Sequence, residues 1–200
     1  MNPSLEKLLC ELESFGRDND GAITDRGRRM LNITPDTGEF LNVLVRACNA
    51  RRVLEIGTSN GYSTLWLADA ARDIGGTVTT VEFSELKLAL AATNFKRSGL
   101  ADFVTQVHGD AGPFLASLSA ESYDLIFLDS ERSEYANWWP NIRRVLRRGG
   151  LLVVDNATSH PAEMAALVAL VGADTDFRYC LVPVGNGEFL ATRSAAPSDA

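Results

Sequence analysis

The sequence has few of the features that mark membrane-bound or secreted proteins. No uninterrupted apolar run approaches the roughly 18 residues that a membrane-spanning helix needs. The stretch from Met1 to Arg17 carries three glutamates, without the basic start and small-residue cleavage site of a signal peptide. We therefore expect a cytoplasmic protein without a membrane partner.

Cysteine and histidine are also scarce, with three and two residues in a chain of 200. Cys10, Cys48 and Cys180 are far apart and lie in apolar segments. An odd number of widely spaced cysteines argues against a disulfide framework or a zinc cluster. We expect all three to be thiols of the hydrophobic core.

Basic residues are fewer than acidic ones, with 19 Lys and Arg against 26 Asp and Glu, which gives a net charge of -7. Such a surface opposes nonspecific binding to phosphate backbones, so we expect no nucleic-acid partner. The composition is 46% hydrophobic, enough for one α/β domain with a substantial core. We expect a core over residues 33–193, a helical extension over 1–32 and a short tail over 194–200.

The chain is organised around the stretch from Arg52 to Thr64, which predicts a strand, a tight glycine turn and a helix. Gly57 opens the turn and Gly61 closes it, so the backbone can pass close to a ligand at the carboxyl end of the strand. A dinucleotide fold requires G-x-G-x-x-G to seat a pyrophosphate, whereas here Ser59 lies between the two glycines and no third glycine follows. A nucleoside without a pyrophosphate fits this spacing better.

Two glutamates belong to the same prediction. Glu82 ends the next strand, where a doubly wound fold places a carboxylate that accepts hydrogen bonds from both ribose hydroxyls. Glu55 precedes the glycine turn, where it either holds the turn or meets a cationic amino-acid tail of the ligand.

The rest of the chain alternates between the helical and strand periods. An amphipathic helix over 3–16 comes first, and Thr34-Pro35-Asp36 gives the cap, first-turn proline and first-turn acid of a second helix. The pattern predicts a Rossmann-like, doubly wound α/β fold whose seven-stranded sheet is mostly parallel, with one antiparallel strand in a C-terminal hairpin. Strands are expected over 53–56, 77–81, 103–107, 123–128, 151–154, 177–184 and 188–192, and further helices over 84–98, 111–118, 134–146 (stopped by Gly149-Gly150) and 161–171.

Polar side chains end two strands of the predicted sheet. Asp129 follows the fourth strand and Asp155-Asn156 the fifth, so the three should converge beyond the strand ends. Two carboxylates and an amide oxygen suit Mg²⁺ or Mn²⁺. Strand-end Asp and Asn also cap turns and helices, so the residues alone leave both interpretations open.

An ordered set of motifs resembles the cation-dependent catechol and caffeoyl-CoA type O-methyltransferases, of the class I S-adenosylmethionine-dependent plan. The likeness covers roughly residues 30–193. It implies transfer of a methyl group from S-adenosylmethionine to a hydroxyl of a vicinal diol, with a divalent metal that activates and aligns the diol. The motifs are Leu54-Glu-x-Gly-x-x-x-Gly-Tyr-Ser63, Glu82, Asp129, Asp155-Asn156 and Val182-Pro-Val-Gly-Asn-Gly187.

The resemblance also implies roles for single residues. Asp110 and Ala111 stand where the family contacts adenine, although Asp110 is equally suited to cap the next helix. The metal ligands would be Asp129, Asp155 and Asn156, and Asp129 would also serve the cofactor and the reaction. The methionine side of the cofactor would lie along the glycine turn, at Glu55, Gly57, Ser59, Gly61 and Ser63.

Two departures from the family pattern bear on the chemistry. The family has Asp-x-x-Lys with lysine as the base, but here the stretch is Asp129-Ser-Glu-Arg132, and arginine cannot accept the proton. We hypothesise that His160 is the base, while Arg132 holds an anionic substrate or an adjacent carboxylate. The segment over 157–176 is short, which favours a small substrate over a CoA thioester.

Three other functions remain open at this point. One is a metal-independent methyltransferase in which Asp129 and Asp155 only shape the pocket. Another is an NAD-binding oxidoreductase, which the glycine spacing does not support. The third is a nucleoside-binding module without activity, for which Arg132 is the best argument. The apolar stripe of the first helix also favours a homodimer.

Overall fold

The computed structural model describes residues 2–195 and contains one seven-stranded sheet with the order β3-β2-β1-β4-β5-β7-β6. Strands β1 to β5 pair in parallel, and β7 runs antiparallel to both β5 and β6. The predicted fold class is therefore confirmed. The strands are β1 Arg52–Ile56, β2 Thr77–Glu82, β3 Val104–His108, β4 Tyr123–Leu128, β5 Leu146–Val154, β6 Phe177–Val182 and β7 Glu188–Arg193.

Helices cover both faces of this sheet, each over its own apolar cluster. The first four helices pack on one face and the last three on the other. Parallel strands that are buried on both faces are continuously apolar, as β4 is in Leu125–Leu128. The helices are α1 Pro3–Ala22, α2 Pro35–Ala47, α3 Tyr62–Asp73, α4 Glu85–Ser98, α5 Ala111–Ser117, α6 Tyr135–Val145 and α7 Pro161–Ala173.

Helix α1 is six residues longer than predicted and belongs to the domain core. Its leucine stripe, Leu5, Leu8, Leu9 and Leu12, is buried against the chain's own first apolar cluster. The stripe is thus occupied within the chain, which removes the reason for expecting a homodimer. In the last turn of α1, the Asp20 carboxylate accepts hydrogen bonds from the backbone amides of Met30 and Leu31, which turns the chain back toward the sheet.

The predicted boundary between α6 and β5 is wrong. The helix ends at Val145, and the strand begins at Leu146 rather than at residue 151. The strand register explains the difference. Tyr123 pairs with Leu146 while Leu125 pairs with Leu151, so β5 accommodates the extra residues between Leu146 and Leu151 in an irregularity. Glycines at 149 and 150 therefore lie in a bulged strand and do not stop the helix.

The prediction of three core thiols is also wrong. Cys10, Cys48 and Cys180 are all exposed. Cys10 lies on α1 outside the leucine stripe, and Cys180 lies on β6, the edge strand of the sheet.

Among the described residues, no helix combines the length and the apolar character that crossing a membrane requires.

Candidate active site

A cavity of about 840 Å³ opens at the carboxyl edge of the parallel strands. The ends of β1, β2, β4 and β5 form its floor, as the doubly wound topology requires. Residues 26–33, between α1 and α2, supply another wall. The cavity therefore joins the glycine turn, the strand-end carboxylates and the N-terminal segment in one site.

The two glycines of the turn have different roles. Gly57 lines the cavity with φ at +106°, and a Cβ there would stand 2.0 Å from the backbone oxygen of Asp129. Gly61, with φ at +87°, does not line the cavity, and a Cβ there would stand 2.6 Å from the ring of Phe95. Gly57 thus lets β1 and β4 end side by side under the cavity, whereas Gly61 allows α3 to pack against α4.

Glu82 lies on the cavity wall at the end of β2, as predicted. Its Oε2 accepts a hydrogen bond from the backbone amide of Ser59 (2.8 Å), and its Oε1 accepts one from the amide of Ser84 (2.8 Å). Ser59 is itself tied to the N-terminal segment, because its hydroxyl donates to the carbonyl oxygen of Met30 (2.6 Å). The Glu82 carboxylate is held in one orientation, with lone pairs left for ligand hydroxyls.

Glu55 lies beneath the cavity and does not line it. Its carboxylate accepts hydrogen bonds from the hydroxyls of Ser63 (2.6 Å), Thr64 and Thr80 (2.6 Å). Burial raises the pKa of Glu55 to about 7, even though these three bonds favour the charged form. Of the two predicted roles, the structure supports the one in which Glu55 holds the turn, and it places no ligand tail against Glu55.

The adenine end predicted from the resemblance also lies on the cavity. Asp110 and Ala111 both line it. Asp110 caps α5 at the same time, because its Oδ1 accepts from the amide of Gly112 (2.7 Å). Trp138 lines the cavity nearby, whereas Trp139 is buried against Phe177 at a ring separation of 4.9 Å. Trp139 is therefore a packing residue, whereas Trp138 borders the cavity.

The three proposed metal ligands come together as predicted. Asn156 donates from Nδ2 to Oδ2 of Asp155 (2.9 Å), and the same nitrogen lies 3.4 Å from Oδ1 of Asp129. All three line the cavity. Burial raises the pKa of Asp129 well above its ordinary range, and the negative charges of Asp155 and Glu55 raise it further. Burial likewise raises the pKa of Asp155.

This donor set fits a hard divalent cation. The Asn156 amide points its nitrogen at the carboxylates of Asp129 and Asp155. An amide has nearly the same shape after a half-turn, so Asn156 can present its oxygen to the same point. Within residues 2–195, no three His, Cys, Asp or Glu side chains form a metal cluster. A cation here would therefore use two carboxylates, one amide oxygen and water or substrate oxygens, as Mg²⁺ commonly does.

Glu188 is a third carboxylate at this site that the sequence interpretation missed. It is fully buried at the start of β7, and its Oε1 accepts from the hydroxyl of Thr37 (3.1 Å). Burial, followed by the charge of Asp155, raises the pKa of Glu188 to about 10. A raised pKa favours the protonated form of this carboxyl group at neutral pH. The available signal was a glutamate in an otherwise apolar strand.

Arg132 and His160 lie where the sequence placed them, on the cavity wall. Arg132 is buried, and its Nε donates to Oε2 of Glu163 (2.7 Å), so it holds an adjacent carboxylate, one of its two predicted roles. His160 precedes α7 and makes no side-chain cap. Its Nδ1 lies 2.9 Å from the hydroxyl of Ser159.

The N-terminal segment supplies cavity residues that were not predicted. Arg26 and Arg29 both line the cavity, next to Met30. The Nε of Arg29 is buried without a hydrogen-bond partner. This polar segment had been assigned to the helical extension, because nothing in its pattern shows that Asp20 turns it back over the sheet.

Many known proteins have similar sequences. The family model described as O-methyltransferase matches residues 17–194. A catechol O-methyltransferase of Mycobacterium tuberculosis is 40% identical over 124 residues, which make up 62% of this chain and 56% of that protein. A catechol O-methyltransferase of Niastella koreensis is 31% identical over 169 residues, 77% of this chain and 76% of that protein.

Solved structures agree with these relatives. The O-methyltransferase from Bacillus cereus in complex with SAH has a TM-score of 0.81 and 26% identity, covering 97% of this chain and 92% of its own. A cofactor-bound protein from MTB has a TM-score of 0.78 and 28% identity, covering 98% and 92%. The chain therefore belongs to the O-methyltransferase family and is a class I enzyme that depends on S-adenosylmethionine.

Proposed function

We propose that this enzyme transfers the methyl group of S-adenosylmethionine to one hydroxyl of a small catechol-like diol, with the assistance of Mg²⁺ or Mn²⁺. The observation that carries the proposal is the convergence of Asp129, Asp155 and Asn156 in the same cavity as Glu82. The names of the two curated relatives, both catechol O-methyltransferases, support the substrate class.

The cofactor would lie across the ends of β2 and β1. Glu82 would accept hydrogen bonds from the two ribose hydroxyls. The backbone amides of Ser59 and Ser84 already fix the direction of its carboxylate. Asp110 and Ala111, which line the cavity, would contact the adenine. The methionine part lies along Gly57 and the exposed edge of the glycine turn, which Glu55 holds from below.

The substrate would lie on the opposite side of the cavity, against the strand-end carboxylates. Asp129, Asp155 and Asn156 would hold the cation, which would supply acidification and alignment of the substrate hydroxyl. Asp129 and Asp155 provide the negative charge that holds the cation, and Asn156 adds a neutral oxygen. The segment over 157–176 is short, which favours a small substrate over an acyl-CoA.

The proton of the attacking hydroxyl would pass to His160. Arg132 cannot take it, since a guanidinium stays protonated and this one is paired with Glu163. His160 lies on the cavity wall, and the Ser159 hydroxyl holds its Nδ1. In the tautomer whose Nδ1 donates to the Ser159 hydroxyl, Nε2 is the nitrogen that accepts the proton.

Mass spectrometry of a reaction containing catechol and S-adenosylmethionine tests this function. We expect a monomethylated catechol, loss of product in EDTA, and recovery with excess Mg²⁺. A metal-independent methyltransferase is the second candidate, because Asn156 Nδ2 donates hydrogen bonds to both carboxylates, which can then simply shape the pocket. Full product formation in EDTA would establish that candidate instead.

A further inference from the structure

Glu188 is the buried acid for which the proposed mechanism has no role. Its side chain is completely excluded from solvent, it does not line the cavity, and its Oε2 has no ordinary hydrogen-bond partner. A buried polar atom without a partner costs free energy comparable to a lost hydrogen bond. An acid in this position needs a specific reason for its presence.

Strand pairing places Glu188 against Asp155. In the antiparallel ladder Val154 pairs with Phe189, so the next step along both strands sets Asp155 opposite Glu188. Side chains directly across a ladder are neighbours on one face of the sheet, so the Glu188 carboxyl group lies beside the Asp155 carboxylate.

A chain of hydroxyls holds Glu188 from the other side. Thr34 donates to Thr37 (3.1 Å), and Thr37 donates to Oε1 of Glu188 (3.1 Å). Thr34 is the cap of α2, so this chain runs from a helix terminus through Glu188 to Asp155. The position of Asp155 therefore depends on a connected set of side chains on α2 and β7.

We infer that Glu188 is a positioning residue of the proposed cation site: it holds the Asp155 carboxylate, and Thr37 holds Glu188. Groups that hydrogen-bond a metal ligand fix its orientation, and their removal typically lowers metal affinity about 10- to 100-fold. The inference rests on the proposed metal-assisted function, since Asp155 is a ligand only in that reaction.

Mn²⁺ binding, followed by the electron paramagnetic resonance signal of the free ion, tests this inference without turnover. Wild type is compared with Glu188→Leu, Glu188→Gln and Thr37→Val, and S-adenosylhomocysteine affinity is measured on each sample. Leucine fills the space but cannot hold Asp155. Glutamine keeps both a donor for Asp155 and an acceptor for Thr37.

We expect Glu188→Leu to weaken Mn²⁺ binding by roughly 10- to 100-fold. Glu188→Gln should bind Mn²⁺ nearly as wild type does, and Thr37→Val should lie between the two. S-adenosylhomocysteine affinity should stay constant, because Glu188 is outside the cavity. The melting temperature of Glu188→Leu should not fall, because leucine replaces a buried acid.

Three results would overturn the inference. If Glu188→Leu binds Mn²⁺ as tightly as wild type, Glu188 does not position Asp155. If Glu188→Gln is as weak as leucine, Glu188 acts through its charge and not as a positioning group. If wild type binds no Mn²⁺, the metal role proposed for Asp155 fails and the inference fails with it. Should Glu188→Leu not fold, Thr37→Val decides, and unchanged binding in that variant contradicts the inference.

Discussion

The backbone amide of Ser59 donates to the carboxylate of Glu82 over 2.8 Å, which ties the glycine turn after β1 to the end of β2. Ser59 also donates its hydroxyl to Met30, so the N-terminal wall of the cavity is fastened at the same point. The residue proposed to bind ribose is thus also the one that organises this end of the site.

Glu82→Ala should weaken S-adenosylmethionine binding by about 100-fold or more. Two ribose hydrogen bonds to a charged acceptor are lost, each worth roughly 1.5–3 kcal/mol, and Ser59 loses its anchor. Isothermal titration calorimetry measures the change, with Glu39→Gln on the exposed face of α2 as a control that should bind normally. Wild-type affinity in Glu82→Ala would place the ribose elsewhere.

Glu55 gives a prediction about stability and pH. Its folded pKa of about 7 lies above the ordinary 4.5, so the folded state binds more protons than the unfolded state between these values. Its stabilising contribution is therefore complete below about pH 4.5 and is lost as pH rises toward 7, by on the order of 3 kcal/mol.

Glu55→Gln removes this dependence, because an amide does not titrate. Relative to wild type, the variant should gain free energy of unfolding as pH rises from 5 to 7.5, as measured by urea denaturation. Glu39→Gln should show no such relative gain. A constant difference between Glu55→Gln and wild type across this range would mean that the buried carboxyl does not titrate there.

Much of the fold was predictable because local chemistry and topology agreed. The capping sequence Thr34-Pro35-Asp36 starts α2 as predicted, with the Thr34 hydroxyl accepting from the amide of Thr37. Both bounds of the strand over 123–128 were predicted correctly, because a continuously apolar run is typical of a strand that is buried on both faces. The bulge before Leu151 was missed, since its cause is the register with β4, a nonlocal contact.

The site residues that could be placed from the sequence are those that directly follow the ends of strands. Asp129 and Asp155 converge because parallel strands end at one edge of the sheet. Glu188 was not predictable in the same way, because its neighbour depends on which strand β7 joins and in what register. The cavity-lining Arg29 also escaped prediction, because a turn fastened by Asp20 brings it there.

Removal of the metal should separate turnover from cofactor binding. EDTA should abolish methyl transfer, and Mg²⁺ or Mn²⁺ should restore it, because acidification and alignment of the diol depend on the cation. Asp155→Ala should reproduce the effect of EDTA while S-adenosylmethionine affinity stays near wild type. Product formation by mass spectrometry and calorimetric titration measure the two quantities; equal loss of both would point to a general collapse of the cavity.

His160→Ala should lower kcat by about 100-fold or more, with little change in S-adenosylmethionine affinity. The chain has one other histidine, His108, whose Nε2 lies 3.1 Å from the carbonyl oxygen of Phe83 and which does not line the cavity. His108→Ala is therefore the matched control and should keep wild-type turnover.

The pH profile of kcat distinguishes a base from a packing residue. An imidazole that takes the proton must be neutral, so wild-type turnover should rise with pH as the imidazole loses its own proton. His160→Ala should lose this rise, whereas His108→Ala should retain it. Ser159→Ala should keep this rise with pH. It should lower kcat less than His160→Ala does, because it removes only the contact with Nδ1 of His160. An unchanged profile in His160→Ala would leave the cation as the sole activator of the hydroxyl, because Arg132 is paired with Glu163 and cannot accept a proton.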